Sequence, residues 1–127
     1  MIAASGRDDV GDLLIDTDIF VDHIRGARRV SAATTASYSV ITRSELFAGH
    51  ERDEVAVQAL LAPHREIPVE RAIAERAGRL RRTVALSVPD AIIAATALEH
   101  SLELVTRNRR DYERVPELRL RERVDSA

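Results

Sequence analysis

Acidic side chains recur at the points where apolar runs of this sequence begin or end. Two carboxylates about 4 Å apart repel by about 4 kcal/mol at an effective dielectric near 20, so a group of them needs protons, an arginine or a cation. Carboxylate and amide oxygens suit Mg²⁺ or Mn²⁺. A cation held in this way activates water and holds a phosphodiester for in-line attack, so the predicted chemistry is phosphodiester hydrolysis. The positions concerned are Asp16, Asp18, Glu45, Asp90, Asn108 and Asp111.

Short β-prone runs alternate with helical patterns from residue 13 to about residue 120. This alternation predicts βαβ units and a mostly parallel sheet that helices cover on both faces. The predicted strands are 13–15, 38–41, 67–69, 102–106 and 118–120. The predicted helices are 19–25, 42–49, 55–62, 70–80 and 89–98, and a polar loop is predicted at 107–110.

Local signals set the starts of these helices. Thr42 and Glu45 have the spacing of a capping box, which predicts that a helix opens there. Pro89 suits the first turn of a helix, and Asp90 suits its positive end. The segment 91–98 is apolar nearly all round, so we expect it to be buried in the middle of the domain. Apolar stripes at helical spacing support two further helices, through Val55, Ala59 and Leu60 and through Ile73, Ala77 and Leu80.

Each acid taken alone also has a purely structural explanation. Glu45 could be only the capping-box acid, Asp90 a helix-start acid and Asp16 a turn residue. Taken together, however, the acids follow strand ends or open helices, and those junctions lie on one rim of a parallel sheet, where ligands bind. The joint arrangement favours a functional site.

The composition is that of one soluble globular domain. At 127 residues, 45% apolar and 31% charged, the chain has enough apolar side chains for one core. It has no Cys, which excludes thiol chemistry and is consistent with a reducing cytoplasm, where we expect the protein. We find no signal peptide and no apolar run of the ~20 residues that a membrane span needs. We predict a tail at 1–12 and a single domain at 13–127.

Basic and aromatic residues limit how nucleic acid could be bound. All 19 basic residues are Arg, the net charge is −2, and aromatic content is 3%, which is too little for a base-stacking platform. Nucleic acid would therefore be held by its backbone. Arg side chains beside the acids could bind phosphates or form salt bridges; they are Arg107, Arg109, Arg110 and Arg114. The four His residues are scattered, and we expect them to be structural or on the surface.

Four segments together resemble a known family. LLIDTD at 13–18, ITRSELFAG at 41–49, PDAIIAATAL at 89–98 and LVTRNRRDY at 104–112 are similar to the signature segments of PIN-domain toxins of the VapC type. The resemblance implies a PIN-like three-layer α/β/α sandwich with a sheet of four or five strands. It also implies a Mg²⁺- or Mn²⁺-dependent endoribonuclease that a VapB-type antitoxin binds and silences, in a homodimer or a toxin–antitoxin hetero-oligomer.

The resemblance also assigns roles. Asp16, Glu45 and Asp90 fall on the family's metal-binding acids, and the fourth position is shared between Asp111 and Asn108. We take the four acids as the catalytic and metal-binding set. Asp18 stands where Asn or Ser is commoner and adds negative charge. The predicted substrate-contacting or orienting residues are Thr17, Thr106, Asn108, Arg107 and Arg109.

Other classes of protein share parts of this pattern. Asp16-Thr17-Asp18 also fits a haloacid-dehalogenase-type phosphatase, and a receiver domain has an acid pocket, but both normally rely on a lysine, which this chain lacks. A PIN-like binding module with a weakened site stays open because of Asn108, as does a nuclease that cuts DNA. RNA as substrate, from tRNA or rRNA, rests on the resemblance. Apolar side chains in 19–24 and 43–61 could receive an antitoxin helix or belong to the core.

Overall fold

A computed structural model describes residues 12–26 and 35–124. A short 3-10 turn, Glu51–Asp53, precedes the third helix. The strands are β1 (Leu13–Ile15), β2 (Ser37–Ser39), β3 (Arg65–Ile67), β4 (Glu103–Val105) and β5 (Leu120–Arg121). The helices are α1 (Thr17–Ile24), α2 (Val40–Phe47), α3 (Glu54–Leu61), α4 (Arg71–Leu80), α5 (Val88–Glu99) and α6 (Arg109–Tyr112).

The five strands form one sheet in the order β3-β2-β1-β4-β5, and every pairing is parallel. The central strand β1 pairs with β4 over its whole length, with Leu14 opposite Leu104. Parallel neighbours require crossover connections, which the helices supply. The predicted mostly parallel sheet is confirmed, and all its carboxyl ends meet at one edge.

Helices cover both faces of the sheet, and alternate residues of β1 contribute to different cores. Leu14 belongs to the core cluster formed with α4 and α5. Leu13 and Ile15 belong to the other cluster, which includes residues of α1 and α3. Because successive strand side chains point to opposite faces, a strand buried on both sides is apolar throughout. The predicted three-layer α/β/α sandwich is confirmed.

Helix α5 is buried along most of its length. The Ser87 side chain caps it by accepting from the backbone N–H of Asp90, at 3.2 Å, and Pro89 occupies its first turn. Ala91 and Ala94 are fully buried, and Ala side chains allow α4 to pack closely alongside. The predicted central helix is confirmed, and it holds Asp90 at its amino end.

Helix α2 begins earlier than predicted. Val40 and Ile41 belong to the helix and not to the second strand, because Ser39 is the N-cap and its hydroxyl accepts from the backbone N–H of Ile41. The predicted capping box at Thr42 is therefore wrong. Glu45 lies in the second helical turn, which frees its side chain for another contact.

Other segment predictions differ in detail. Helix α3 is confirmed, but Val55 is 80% exposed and the buried face is formed by Val57 and Leu61, because the packing face is set by the α1 and α2 contacts. β3 ends at Ile67 rather than extending to 69, and part of the predicted loop at 107–110 is the start of α6.

No helix within residues 12–26 and 35–124 is long and apolar enough to cross a membrane. The predicted tail at 1–12 lies outside the described residues apart from Asp12.

Candidate functional site

A polar cavity of about 250 Å³ opens at the carboxyl edge of the sheet. Residues from four separate segments line it, because β1, α2, α5 and β4 all present an end at this edge. Sequence positions up to 92 residues apart thus share one small volume. The lining residues are Asp16, Thr17, Asp18, Val21, Glu45, Asp90, Arg107 and Asn108.

Asp16 is the most buried acid of the cavity, at 4% exposed. One of its oxygens caps α1 by accepting from the backbone N–H of Thr17 at 2.8 Å, and the other accepts from the Thr106 hydroxyl at 2.8 Å. Burial, reinforced by the nearby charges of Asp18 and Asp90, raises the pKa of Asp16 to about 7. The carboxylate is held rigidly in a place where its charge is poorly solvated.

Asp18 lies one residue into α1 and turns back toward β4. Its Oδ2 accepts from the backbone N–H of Arg107 at 3.0 Å and lies 3.4 Å from the Thr106 hydroxyl oxygen. Its Oδ1 is buried and has no hydrogen-bond partner among the described residues. Burial raises the pKa of Asp18 above its usual value.

Glu45 is held by a short chain of hydroxyl groups. The Thr17 hydroxyl donates to Glu45 Oε1 at 2.6 Å, and Thr42 Oγ1 lies 2.9 Å from Thr17 Oγ1. Since Thr17 has one hydroxyl proton and gives it to Glu45, Thr42 is the donor in the second contact. Thr42 and Glu45 are three residues apart and lie on the same helical face. Their spacing therefore serves this contact instead of a capping box.

Asp90 is oriented by an aromatic residue of α6. The Tyr112 hydroxyl donates to Asp90 Oδ1 at 3.1 Å, and Tyr112 is 1% exposed. Burial, with the neighbouring charges of Asp16 and Asp90, raises the pKa of Tyr112 far above its usual value. The phenol therefore stays protonated and donates to the carboxylate at any ordinary pH.

The two candidates for the fourth position lie in different environments. Asn108 lines the cavity, and its backbone N–H donates to Thr106 Oγ1 at 3.0 Å. Asp111 is exposed on α6 and is not among the lining residues. The structure thus brings Asn108, and not Asp111, to the cavity wall.

Among the described residues, Arg107 is the arginine that lines the cavity. Its guanidinium pairs with Asp22 at 3.0 Å, while its backbone N–H binds Asp18. The remaining predicted arginines are exposed and are not among the lining residues; they are Arg109, Arg110 and Arg114. Thr106 is fully buried, so its hydroxyl orients Asp16 and is shielded from a substrate in the cavity.

The donor chemistry of the cavity suits a hard divalent cation. Its polar lining is dominated by the carboxylates of four acids, together with one amide, one hydroxyl and Arg107. The buried Oδ1 of Asp18, which has no partner among the described residues, is an acceptor that a cation would satisfy. The carboxylates, however, are turned toward hydrogen-bond donors of the protein, Asp16 and Asp18 toward Thr106, Glu45 toward Thr17 and Asp90 toward Tyr112. Within residues 12–26 and 35–124, no three His, Cys, Asp or Glu side chains are grouped closely enough to form a metal site as they stand.

Two of the histidines have structural contacts, as expected. His64 Nδ1 accepts from the backbone N–H of Ala36 at 3.0 Å, and His64 packs against the Phe20 ring. His50 Nδ1 accepts from the Arg52 backbone N–H at the start of the 3-10 turn.

Sequence reasoning missed several residues that shape the site. The sequence pattern indicates no role for Tyr112, in the segment at 104–112, and it predicts a helix cap at Thr42. The signal for Thr42 was its three-residue spacing from Glu45, which places both on one side of a helix. No signal in the sequence could place Asp22 against Arg107, because the two residues meet only in the folded chain.

A second, less polar cavity of about 420 Å³ adjoins the first. It lies between α1 and the α2–α3 segment and shares Val21 and Glu45 with the acid-lined cavity. Its apolar lining includes Ile24, Leu46 and Val57. An occupant of this groove would therefore touch the edge of the acidic site.

Comparison with known proteins supports one family. The family model described as PIN domain matches residues 13–118. Ribonuclease VapC19 of Mycobacterium tuberculosis is 33% identical over 119 residues, which cover 83% of this chain and 95% of that protein.

Solved structures agree with that match. The chain aligns with a toxin–antitoxin complex from Klebsiella pneumoniae at a TM-score of 0.71 and 36% identity, covering 82% of this chain and 92% of that one. It also aligns with VapBC2 from Rickettsia felis, bound to a DNA fragment from its promoter, at a TM-score of 0.73 and 22% identity. That alignment covers 86% of this chain and 96% of the other. The second likeness concerns the fold alone.

Proposed function

The chain belongs to the PIN-domain family and to its VapC-type members, and from that premise we propose that it is a divalent-metal-dependent endoribonuclease, the toxin of a toxin–antitoxin pair. The observation that carries the proposal is the acid-lined cavity. Four carboxylates from three segments line about 250 Å³ at the edge of the sheet where ligands bind. This many acids in one cavity is costly for stability and needs a functional reason.

We assign the cation to Asp16, Glu45 and Asp90. When bound, Mg²⁺, or Mn²⁺ in its place, supplies activation of water and neutralisation of the phosphodiester charge. Asp16 is kept in place by Thr17 and Thr106, Glu45 by Thr17, and Asp90 by Tyr112. These contacts preset the carboxylates, which lowers the reorganisation needed on binding. Asp111 as the fourth catalytic acid stays a prediction.

Phosphate contacts are proposed for Arg107 and Asn108. Both line the cavity, and Asp22 pairs with the Arg107 guanidinium at 3.0 Å. An RNA strand held by its backbone needs such donors beside the acids. Arg109, exposed at the start of α6, remains a candidate to contact the backbone of the same RNA strand.

The antitoxin is proposed to bind in the groove between α1 and the α2–α3 segment. The Klebsiella pneumoniae structure, which is 36% identical to this chain, is by its name a toxin–antitoxin complex. The groove offers apolar side chains and shares Glu45 with the acidic cavity, so an inserted helix would inhibit the enzyme directly. A homodimer and a cytoplasmic location stay predictions.

A cleavage assay tests the function. The purified chain is incubated with a single-stranded RNA pool and with DNA of the same sequences, with Mg²⁺, with Mn²⁺ and with EDTA. We expect new RNA ends only with a divalent cation, and none with the Asp90→Asn variant. Equal cleavage of DNA would move the substrate class to DNA. Metal-dependent binding of RNA without cleavage would indicate the weakened binding module.

A further inference from the structure

We propose that Asp18 supplies the carboxylate that this site lacks at Asn108, so that Asp18 is a ligand of the bound divalent cation. The proposal rests on the proposed metal site and adds a residue to it. It concerns the fourth position of the predicted metal-binding set. At that position Asn108 is a weaker ligand than an acid, and Asp111 does not line the cavity.

Asp18 shares its surroundings with an acid already assigned to the cation. Thr106 Oγ1 lies 2.8 Å from Asp16 Oδ2 and 3.4 Å from Asp18 Oδ2, so the two carboxylates converge on one hydroxyl group. The hydroxyl has one proton, which is shared between the two carboxylates, and the shorter contact is the one to Asp16. The shared donor brings Asp18 directly beside Asp16.

The Asp18 carboxylate has a buried oxygen that the rest of the protein does not satisfy. Oδ2 accepts from the Arg107 backbone N–H, but Oδ1 has no partner among the described residues. Buried carboxylate oxygens are almost always hydrogen-bonded or bound to a cation. Asp18 also lines the acid-lined cavity, so a cation bound there is a partner of the right charge for this oxygen.

The neighbouring arginine does not supply the missing partner. Arg107 Nε lies 3.0 Å from Asp22 Oδ2, one helical turn farther along α1, so its guanidinium is directed to that acid. The contacts that Asp18 receives, from the Arg107 backbone N–H and the Thr106 hydroxyl, both go to Oδ2. Asp18 Oδ1 is left without a hydrogen-bond partner among the described residues.

Asp18 and Asn108 lie on the walls of the same cavity, so a carboxylate at either position faces the same volume. Asn108 is tied to β4 through its backbone contact with Thr106, the residue that also contacts Asp18. A carboxylate moved from position 18 to position 108 should therefore restore the lost ligand. This exchange gives the proposal its test.

The test is a Mn²⁺ titration by calorimetry and by the electron paramagnetic resonance signal of free Mn²⁺. The variants are Asp18→Asn, Asp18→Ser, the double variant Asp18→Asn/Asn108→Asp and Glu113→Gln, which removes the same charge from an exposed acid outside the cavity lining. Metal-free melting and circular dichroism establish that each variant is folded. The Ser variant serves if Asp18→Asn does not fold.

We expect Asp18→Asn to weaken Mn²⁺ binding at least tenfold, Glu113→Gln to stay within about twofold, and the double variant to regain most of the affinity. Unchanged binding by folded Asp18→Asn and Asp18→Ser would overturn the proposal. Equal losses in Asp18→Asn and Glu113→Gln would also overturn it, since only charge would be involved, as would a double variant that stays weak. If the unaltered protein binds no Mn²⁺, the proposed function itself fails, which is a distinct result.

Discussion

The two ends of helix α5 each carry an acid, and the two acids have opposite surroundings. Asp90, at the amino end, accepts from the neutral hydroxyl of Tyr112 and lines a cavity with Asp16. Glu99, at the carboxyl end, accepts from the Arg76 guanidinium at 2.8 Å. The helix dipole favours the first acid and disfavours the second, which takes a cation as its partner.

The comparison shows that a functional site differs from an ordinary polar surface in having acids without cationic partners. At an ordinary surface an acid pairs with a cation, as Glu99 does with Arg76. A cavity of about 330 Å³ near the carboxyl end of α5, lined by Arg76 and Arg119, is larger than the acidic one. Its arginines are already engaged, Arg76 by Glu99 and Arg119 by the Ser101 carbonyl oxygen. Cavity size alone therefore does not indicate function, whereas the excess of acids at the amino end does.

The largest expected effect is on RNA cleavage, when Asp90 and Glu99 are each replaced by the matching amide. Asp90→Asn removes a ligand from the proposed cation and should lower RNA cleavage roughly 10³-fold, a loss of about 4 kcal/mol in transition-state stabilisation. Glu99→Gln, on the same helix, should leave cleavage within about twofold. Initial rates in excess Mg²⁺ measure both, and a comparable loss in the two variants would remove the functional difference between the ends of α5.

The buried charge of Asp16 has no cationic partner among the described residues, and its cost can be measured as a pH dependence of the free energy of unfolding. Its folded pKa of about 7 lies above the unfolded value of 3.8, so the folded protein prefers the neutral acid. The associated stability is present below pH 4 and is lost as pH rises through 7, in total roughly 4 kcal/mol.

Urea unfolding in EDTA from pH 4 to pH 8 should therefore show the unaltered protein losing stability relative to Asp16→Asn, with the variant the more stable at pH 8. Saturating Mg²⁺ should restore stability only to the unaltered protein. An Asp16→Asn variant that is less stable than the unaltered protein at pH 8 would contradict the assigned desolvation.

The Tyr112 hydroxyl should contribute to function beyond its packing. Tyr112→Phe leaves Asp90 Oδ1 without its donor and should weaken Mn²⁺ binding and cleavage by roughly 10- to 100-fold. The matched control is Tyr38→Phe, which removes another buried tyrosine's hydroxyl, bonded to Glu66 and Arg43. Both variants should lose about 1 kcal/mol of unfolding free energy. Equal activity in the two would show that Tyr112 only packs.

The smallest effect is expected on stability, from breaking the Arg76–Glu99 ion pair at the carboxyl end of α5. The side chains of Arg76 and Glu99 are 33% and 31% exposed, so their ion pair should contribute less than about 1 kcal/mol. A double-mutant cycle with Arg76→Gln and Glu99→Gln, followed by urea unfolding, measures the coupling. A coupling of several kcal/mol would mean that this end of the helix depends on its charges as strongly as the other.

The sequence predicted most elements because burial fixes their composition. Leu13-Leu14-Ile15 is apolar throughout since both faces of β1 are covered, and 91–98 is apolar all round since α5 is central. Helix starts were harder to predict where more than one polar residue could serve as the N-cap. Ser39 and Thr42 are both good N-caps by type, and only the folded chain shows that Ser39 takes the role and Thr42 turns toward Thr17.

By itself, the sequence determined which acids stand at strand ends and helix starts, and so which ones share the carboxyl edge: Asp16, Glu45 and Asp90. It did so because chain direction in a parallel sheet sends every such junction to one side. The tertiary structure decided what holds each acid and which residues complete the wall. Hydrogen bonds from Tyr112 to Asp90 and from Thr106 to Asp16 join residues 22 and 90 positions apart, and directional contacts over such separations leave no periodic trace in sequence.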